Sequence, residues 1–203
     1  MGQQIRYSGR DRNLMTMQDN AVSDAIAVTV TFLEMAARPS HFPSLPHNKH
    51  IALMRARSVP LHFYKYLADR VGRKWHWVNI LRTPDAELEA QLASPDRDIR
   101  VLYLDGCPAG FFDLNPQLPH VVDLAYFGLM EHAMGQGLGR WFLGAAIEAA
   151  WSHTPETVTV QTCTLDHPAA LPLYQRMGFS PVGQQEEQVK VMTMAERCES
   201  VMR

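Results

Sequence analysis

The sequence has little cysteine and no cysteine pair of the kind that binds metal. Its 203 residues include 3 cysteines, Cys107, Cys163 and Cys198, and none of them forms a C-x-x-C pair. An odd number of widely spaced cysteines indicates neither a disulfide framework nor a cysteine metal site. A reducing, cytoplasmic setting fits this pattern best.

The sequence also lacks an excess of charge and a long apolar run. Lys+Arg 19 against Asp+Glu 21 gives a net charge of -2 without a basic block, so electrostatics give no argument for a nucleic-acid or anionic-membrane partner. The most apolar stretch, residues 25 to 37, contains Glu34 and is too short to span a bilayer. The N-terminus has no apolar signal-peptide core, and Arg6 occupies the position where a myristoylation signal has Ser or Thr. We expect a soluble protein with no nucleic-acid or membrane partner.

The length and composition are typical of one globular domain. With 46% hydrophobic and 20% charged residues, the chain can bury a sizeable core, but it is too short for two independent cores. Residues 1–20 are polar and have no sustained period, so we expect a flexible N-terminal arm. Residues 21–203 are then expected to form a single domain.

The first part of the chain predicts a strand, a loop and two helices. β-branched residues predict a strand from residue 25 to 35, and prolines predict a surface loop over residues 38–50. An apolar stripe predicts a helix over residues 60–72, and an N-cap Thr followed by Pro predicts another over residues 83–92. The loop histidines, which lack a metal-ligand spacing with partner carboxylates or thiols, are His41, His47 and His50.

The second part of the chain predicts hairpins followed by a β-α-β crossover. The predicted elements are a hairpin of residues 99–104 and 110–114 with a loop of three to five residues, a strand at 121–129, a helix at 139–151, a strand at 157–164, a helix at 168–177 and a final strand or hairpin near 181–194. This order implies an α/β (α+β) fold with a mixed sheet. The crossover places two strands parallel or splays them apart.

Three alternating glycines lie between a predicted strand and a predicted helix. Because Gly135, Gly137 and Gly139 have no Cβ, the backbone can bring its N–H groups close to a ligand, and the helix N-terminus adds unpaired donors and a partial positive charge. We interpret the loop as a pyrophosphate cradle; the alternative is a turn that caps the helix for packing alone. A dinucleotide fingerprint would need glycine at Arg140, and a Walker loop would need Gly-Lys-Ser/Thr, so the pattern argues against a nucleotide-binding protein.

A second element follows the glycine loop about thirty residues later, where Ala170-Leu171-Pro172-Leu173-Tyr174 leads to Gly178-Phe179. Over roughly residues 98 to 182, these motifs together resemble the GNAT superfamily of acetyl-CoA-dependent N-acetyltransferases. The resemblance implies a GNAT-type acyltransferase fold, in which helices flank a central mixed β-sheet. It also implies that the enzyme moves the acetyl group of acetyl-CoA to a primary amine by direct attack in a ternary complex, without a metal.

The resemblance also implies which residues bind coenzyme A. The family's loop pattern falls on residues 134–139, with Met134 in place of the usual Gln or Arg. The backbone that would bind the pyrophosphate belongs to Gly135, Gln136, Gly137, Leu138, Gly139 and Arg140. The strand positions that would pair with the pantetheine arm are Phe127, Gly128 and Leu129. His167 takes the place of a cofactor-contacting Asn of the family, and a role in starting the following helix is an equally good interpretation.

Two residues are the catalytic candidates. Tyr174 matches the family's acid that protonates the departing thiolate, and its alternative is a packing role. Asp123 matches a carboxylate of the family that accepts the amine proton, directly or through water. The alternative for Asp123 is a solvent-facing or ion-paired residue without a catalytic role. Other members of the family have a Glu base on the following strand, where this sequence has Thr162. Simple alternation puts Asp123 and Tyr126 on opposite faces of their strand. Tyr126 and Glu131 are weaker candidates for the base.

The acceptor and the oligomeric state are the least defined expectations. We expect a small-molecule or peptide amine as acceptor, and the resemblance assigns Trp75, His76 and Trp77 to the acceptor side, although tryptophans are more often packing residues. The late strands, at residues 181–194, could pair with a second subunit in a homodimer. A non-catalytic acyl-CoA-binding or sensor module of the same fold is the alternative function.

Overall fold

The computed structural model describes residues 25–118 and 120–202. The arm expected at residues 1–20 and the domain boundary at residue 21 lie outside the described residues. The division into an arm and a single domain therefore stays a prediction.

Most of the predicted elements are present, and one further strand and two further α-helices were not predicted. The strands are β1 Ala25–Met35, β2 Ile51–Ala56, β3 Asp98–Leu104, β4 Cys107–Leu118, β5 Val121–Leu129, β6 Thr157–Cys163 and β7 Ser180–Lys190. The helices are α1 Leu61–Gly72, α2 Asn79–Arg82, α3 Asp85–Leu92, α4 Leu138–Trp151, α5 Ala170–Arg176 and α6 Met194–Met202. The sequence did not predict β2, α2 or α6, and the expected final strand or hairpin is one strand followed by a helix.

The described residues form a mixed sheet of seven strands in the order β2-β3-β4-β5-β6-β1-β7. All neighbours are antiparallel except β5 and β6, which are parallel. The first strand of the chain lies between the last two because it buries side chains on both faces, such as Val28 and Leu33, as a central strand does. The sheet and its flanking helices confirm the predicted α/β fold class.

Two turns differ from the sequence-based prediction for local reasons. The β3–β4 loop has two residues rather than three to five, because Asp105 (φ 50°) and Gly106 (φ 82°) both adopt the left-handed backbone that a tight hairpin needs. Helix α3 begins one residue later than expected, with Pro84 at the N-cap. The Thr83 hydroxyl instead donates to the carbonyl of Asn79 at 2.9 Å and closes α2.

Helices cover the two faces of the sheet unequally. On one face α4 and α5 pack on the sheet through a core that includes Phe112, Leu124 and Phe142. On the other face α1 packs through Tyr64 and neighbours. Each fully buried Leu or Phe side chain contributes about 1.5–3 kcal/mol, so both layers stabilise the sheet. Beyond α1, the second face leaves an opening above β5 and β6.

The described part of the sheet ends at β7, whose side chains are mostly exposed. An exposed edge strand can pair with another chain, and the homodimer through residues 181–194 stays a prediction. Among the described residues, none of the helices combines the length and apolar character that crossing a bilayer requires.

Candidate functional site

The site begins where β5 and β6 separate. The two strands pair only from Val121↔Thr157 to Leu124↔Val160, while β5 stays paired to β4 as far as Leu129. At the point of separation, Asp113 pairs with Tyr126 and Leu114 with Leu124, which leaves Ala125 as a bulge. A bulge bends and twists its strand, and so it turns β5 away from β6. Within the described sheet, the β6-facing edge of residues 125–129 has no strand partner.

The glycine loop lies at the end of this opening. Gly135 (φ 71°) and Gly137 (φ 76°) adopt left-handed backbone conformations, and apart from their chain neighbours no described residue has an atom within 4 Å of where their Cβ atoms would be. Gly137 is the N-cap of the 14-residue helix α4, and among the described side chains none caps this helix. Its first N–H groups therefore remain available as donors beside an open concavity. These features fit a bound pyrophosphate.

One cleft of about 570 Å³ joins the strand opening, the glycine loop and the start of α5. Of the predicted site residues, those that line it are Asp123, Phe127, Gly128, Leu129, Gly135, Gly137, Leu138, Gly139, His167 and Tyr174. Two others do not line it. The Gln136 side chain accepts a hydrogen bond from Lys49 Nζ at 2.6 Å, and Arg140 lines a second cavity.

Tyr174 lies on α5 and is 6% exposed. Its ring packs edge-on against Phe127 and Phe179, with centroids 6.3 and 5.9 Å away. Burial, reinforced by the charge of Asp166, raises the pKa of its hydroxyl. The hydroxyl therefore keeps its proton at neutral pH, as an acid in the cleft must.

Asp123 lies on the α1 side of β5. Its neighbours Val122 and Leu124 point into the α4 core, so Asp123 points to the other face. The hydroxyl of Thr159 donates to its Oδ1 at 2.8 Å. Burial raises the pKa of the Asp123 carboxyl, and the Thr159 hydrogen bond offsets part of that rise.

The prediction that Asp123 and Tyr126 lie on opposite faces is wrong. The Ala125 bulge adds one residue between them and resets the alternation. Tyr126 therefore also faces α1 and packs against Trp77 with ring centroids 5.4 Å apart. Burial and the charge of Asp113 raise the pKa of Tyr126 to about 12, which makes it a poor base.

Glu131, the other weaker candidate, is 69% exposed and forms an ion pair with Lys74. This pairing lowers the pKa of the Glu131 carboxyl, so it holds a proton poorly. Thr162 donates its hydroxyl to Asp166 at 2.8 Å and has no carboxylate to act as a base. Of these groups, Asp123 is the carboxylate best suited to accept a proton inside the cleft.

The two tryptophans connect the segment after α1 to the loop after β6. Trp77 donates from Nε1 to Asp166 Oδ1 at 3.1 Å, and Trp75 meets the His167 ring edge-on at 5.2 Å. His167 Nδ1 accepts a hydrogen bond from the Ala169 N–H at 3.0 Å, which leaves the proton of a neutral ring on Nε2. His167 therefore helps to start α5 and lines the cleft as well.

A buried ionic network supports the floor of the cleft, and the sequence analysis missed it. Arg97, whose side chain is 6% exposed, donates two hydrogen bonds from Nε and Nη2 to Asp113 at 2.9 and 2.6 Å, and Nη2 also donates to the Tyr64 hydroxyl at 3.0 Å. Tyr64 in turn donates to Asp113. Burial opposes the charge on Arg97, but the hydrogen bonds and charge of Asp113 outweigh it and raise the pKa of the guanidinium. No local motif marks this pairing, because its members come from α1, β4 and the loop before β3.

Replacing Asp113 by Ala is expected to lower the free energy of unfolding by about 3–5 kcal/mol, because Arg97 would remain buried without its counter-ion. Urea unfolding at pH 7 measures the change. Glu131→Gln, which breaks the exposed pair with Lys74, is the control and should leave the unfolding free energy nearly unchanged. Equal losses in the two variants would contradict a supporting role for the buried pair.

The fold and the cleft define a mixed α/β protein in which one parallel strand pair separates beside a glycine loop at a helix N-terminus. The family model described as the acetyltransferase (GNAT) family matches residues 66–179, more than half of the chain. The chain therefore belongs to the GNAT family.

Solved structures share the fold at low sequence identity. A conserved protein of unknown function from Staphylococcus epidermidis has a TM-score of 0.58 at 14% identity, over 83% of this chain and 64% of that chain. A GCN5-related N-acetyltransferase from Kribbella flavida has a TM-score of 0.55 at 16% identity, over 84% and 63%. A GNAT-family protein from Novosphingobium aromaticivorans has a TM-score of 0.53 at 15% identity, over 83% and 67%.

The chain spans less than two thirds of the length of the first two of these structures. None of the curated proteins matches the sequence significantly.

Proposed function

We propose that the protein is an N-acetyltransferase that moves the acetyl group of acetyl-CoA to a primary amine by direct attack in a ternary complex. The observation that carries the proposal is the single cleft in which the free edge of β5, the glycine cradle, Tyr174 and Asp123 meet. Acetyl-CoA, when bound, supplies an acetyl group that is already activated as a thioester.

Some residues of this chain bind coenzyme A, and others transfer protons. The N–H groups from Gly135 to Arg140 bind the pyrophosphate, and the free edge of residues 127–129 orients the pantetheine arm by backbone hydrogen bonds. Asp123 accepts a proton from the incoming ammonium group, and the free amine attacks the thioester carbonyl, so that a C–N bond forms and the C–S bond breaks. Tyr174 donates a proton to the leaving sulfur, and the second proton that the nitrogen loses restores the Tyr174 hydroxyl. Holding both partners in one cleft supplies a large part of the rate, so few side chains are indispensable.

The charges around the cleft support a cationic acceptor, either a small molecule or a peptide amine. The lining includes Asp123, Asp166 and Glu187 as acids, while the charge of the lining Arg97 is balanced by Asp113. The faces of Trp75 and Trp77 suit a cation as well. The small number of cysteines and their wide spacing support a cytoplasmic location.

The proposal is tested by thiol release from acetyl-CoA across a panel of monoamines, polyamines, amino sugars and N-terminal peptides, alongside calorimetric binding of CoA. Release that requires one amine class supports the enzyme. The alternative, a non-catalytic acyl-CoA-binding or sensor module, is favoured by the altered Met134 and by the engagement of Thr162 with Asp166. Binding of CoA without turnover on any amine would establish that alternative.

Replacing Asp123 by Asn is expected to lower kcat/KM at pH 7 by about 10²-fold, because the amine loses its proton acceptor. A base works only when deprotonated, and burial raises the pKa of Asp123. In the native protein kcat/KM should therefore rise with pH through a midpoint above the ordinary Asp value of about 3.9. That acidic limb should disappear in the Asn variant; a limb that persists would assign the base elsewhere.

Thr159→Val provides the complementary test, because it removes the hydrogen bond that lowers the Asp123 pKa. The midpoint of the acidic limb should then move to higher pH while the maximal rate is largely kept. Thr157→Val, on the same strand opposite Val121, is the matched control and should leave the midpoint in place.

A further inference from the structure

We propose that the C-terminal helix α6 positions the wall of the cleft that contacts the acceptor amine, and that Arg197 and Ser200 are its positioning residues. This inference rests on the proposed function, because it concerns the acceptor of the same transfer reaction. The family match ends at residue 179, whereas α6 spans Met194–Met202. The helix therefore lies in a part of the chain that the family match does not include.

The wall is the connection between α1 and α2, and we call its residues 75–79 the acceptor wall. All five of these residues line the cleft, and Trp77 packs against Tyr126 with ring centroids 5.4 Å apart. Tyr126 lies on the same face of β5 as Asp123, whereas α4, which begins at the glycine loop, packs on the opposite face of the sheet. The acceptor wall is thus on the side of the proposed proton acceptor.

Regular secondary structure does not fix the shape of the acceptor wall. Its first residue, Trp75, ends a single 3-10 turn, and His76 adopts a left-handed backbone at φ 55°. This conformation is unfavourable for residues other than glycine and persists only where the surrounding structure holds it. The hydrogen bond from Trp77 to Asp166 fixes the middle of the wall, so its two ends depend on how α1 and α2 are held.

Helix α6 holds the end of α1 through a buried ionic contact. Arg197 is 4% exposed and donates from Nη1 to Asp69 Oδ1 at 3.3 Å. Asp69 lies in the last turn of α1 and also pairs with Arg73, the first residue after that helix. Charge-assisted hydrogen bonds between buried partners are strong and directional. Arg197 therefore fixes the point from which the acceptor wall starts.

The same helix also holds α2, at the other end of the acceptor wall. The Ser200 hydroxyl donates to the Leu81 carbonyl at 2.6 Å. Val78, within the wall, forms an apolar cluster with Leu81 and Met192, and Val201 of α6 packs against this cluster. Helix α6 therefore contacts the elements on both sides of the wall.

A reciprocal pair of hydrogen bonds fixes where α6 begins. The Thr193 hydroxyl accepts a hydrogen bond from the Glu196 N–H at 3.2 Å, and the Glu196 carboxylate accepts one from the Thr193 N–H at 2.7 Å. This arrangement is a capping box. Because Arg197 and Ser200 are three residues apart, they lie on the same side of the helix, from which they reach α1 and α2 respectively.

Steady-state kinetics of Arg197→Met, with an amine that the wild-type chain acetylates, tests the inference. The KM for the amine should rise about 10-fold, because displacing a wall that positions the acceptor weakens its productive binding. The Kd for CoA, measured by calorimetry, should stay the same, since the glycine loop lies outside the contacts of α6. Arg197→Lys, which keeps the charge, should restore most of the native KM, and Ser200→Ala should raise the KM severalfold.

Arg100→Met is the matched control, because Arg100 also pairs with a buried carboxylate, that of Asp98, but lies outside the cleft; it should leave the amine KM unchanged. An unchanged amine KM in the Arg197→Met variant, an equal rise in the control, or a parallel loss of CoA affinity would overturn the inference and leave the proposed function intact. A wild-type chain that acetylates no amine would overturn the proposed function and this inference with it. Thermal unfolding of each variant checks that its fold is retained.

Discussion

Replacing Tyr174 by Phe is expected to lower kcat by about 10²–10⁴-fold, the usual contribution of a positioned acid, and to leave the Kd for acetyl-CoA nearly unchanged. The change removes only the hydroxyl. The ring keeps its packing between Phe127 and Phe179, so the shape of the cleft is retained. Because burial raises the pKa of Tyr174, the native hydroxyl carries its proton across the neutral pH range. The decrease in kcat of the Phe variant should therefore extend over that whole range.

Stopped assays of thiol release measure kcat, and calorimetric titration of acetyl-CoA measures its Kd. Tyr103→Phe is the matched control, since Tyr103 packs in the α1-side core and lies outside the cleft. The control variant should retain both turnover and affinity. Unchanged turnover in the Tyr174 variant would leave this residue with a packing role alone.

The parts of the site that the sequence predicted well depend on local backbone chemistry. Alternating glycines before a helix predict a concave turn with free N–H groups, and the structure has left-handed Gly135 and Gly137 at an uncapped start of α4 within the described residues. The motif around Tyr174 likewise predicts a short helix. Such features need only neighbours in the sequence, so the chain itself specifies them.

Whether Asp123 and Tyr126 lie on the same face of β5 could not be predicted from neighbouring residues alone. Alternation assumes that every residue of β5 pairs with one residue of β4, and the bulge at Ala125 breaks that assumption. The bulge becomes apparent only when the register with β4 is known. It both brings Asp123 and Tyr126 onto one face and starts the separation from β6.

Features that depend on distant segments were also missed. The ionic network of Arg97, Asp113 and Tyr64 joins residues from two elements and a loop, and no spacing rule links them. The strand β1 enters between β6 and β7, a position set by the burial of both its faces rather than by its place in the chain.

Replacing Gly137 by Val should abolish measurable binding of CoA, with a loss of at least about 100-fold, or about 2.7 kcal/mol. Two effects act together: the new side chain fills the open concavity in front of α4, and the left-handed backbone at φ 76° is strained by a β-branched residue, which turns the N–H donors away from the ligand.

A matched variant separates the effect of backbone strain from the effect of filling the concavity in front of α4. Gly106 has a similar φ of 82°, also without a described residue other than its chain neighbours within 4 Å of its Cβ position, but lies in the β3–β4 hairpin. Gly106→Val should therefore lose a similar unfolding free energy, about 1–3 kcal/mol, while binding CoA normally in calorimetry. If both variants bind CoA alike, the donors at the start of α4 do not hold the pyrophosphate, since the concavity at Gly137 alone distinguishes the two substitutions.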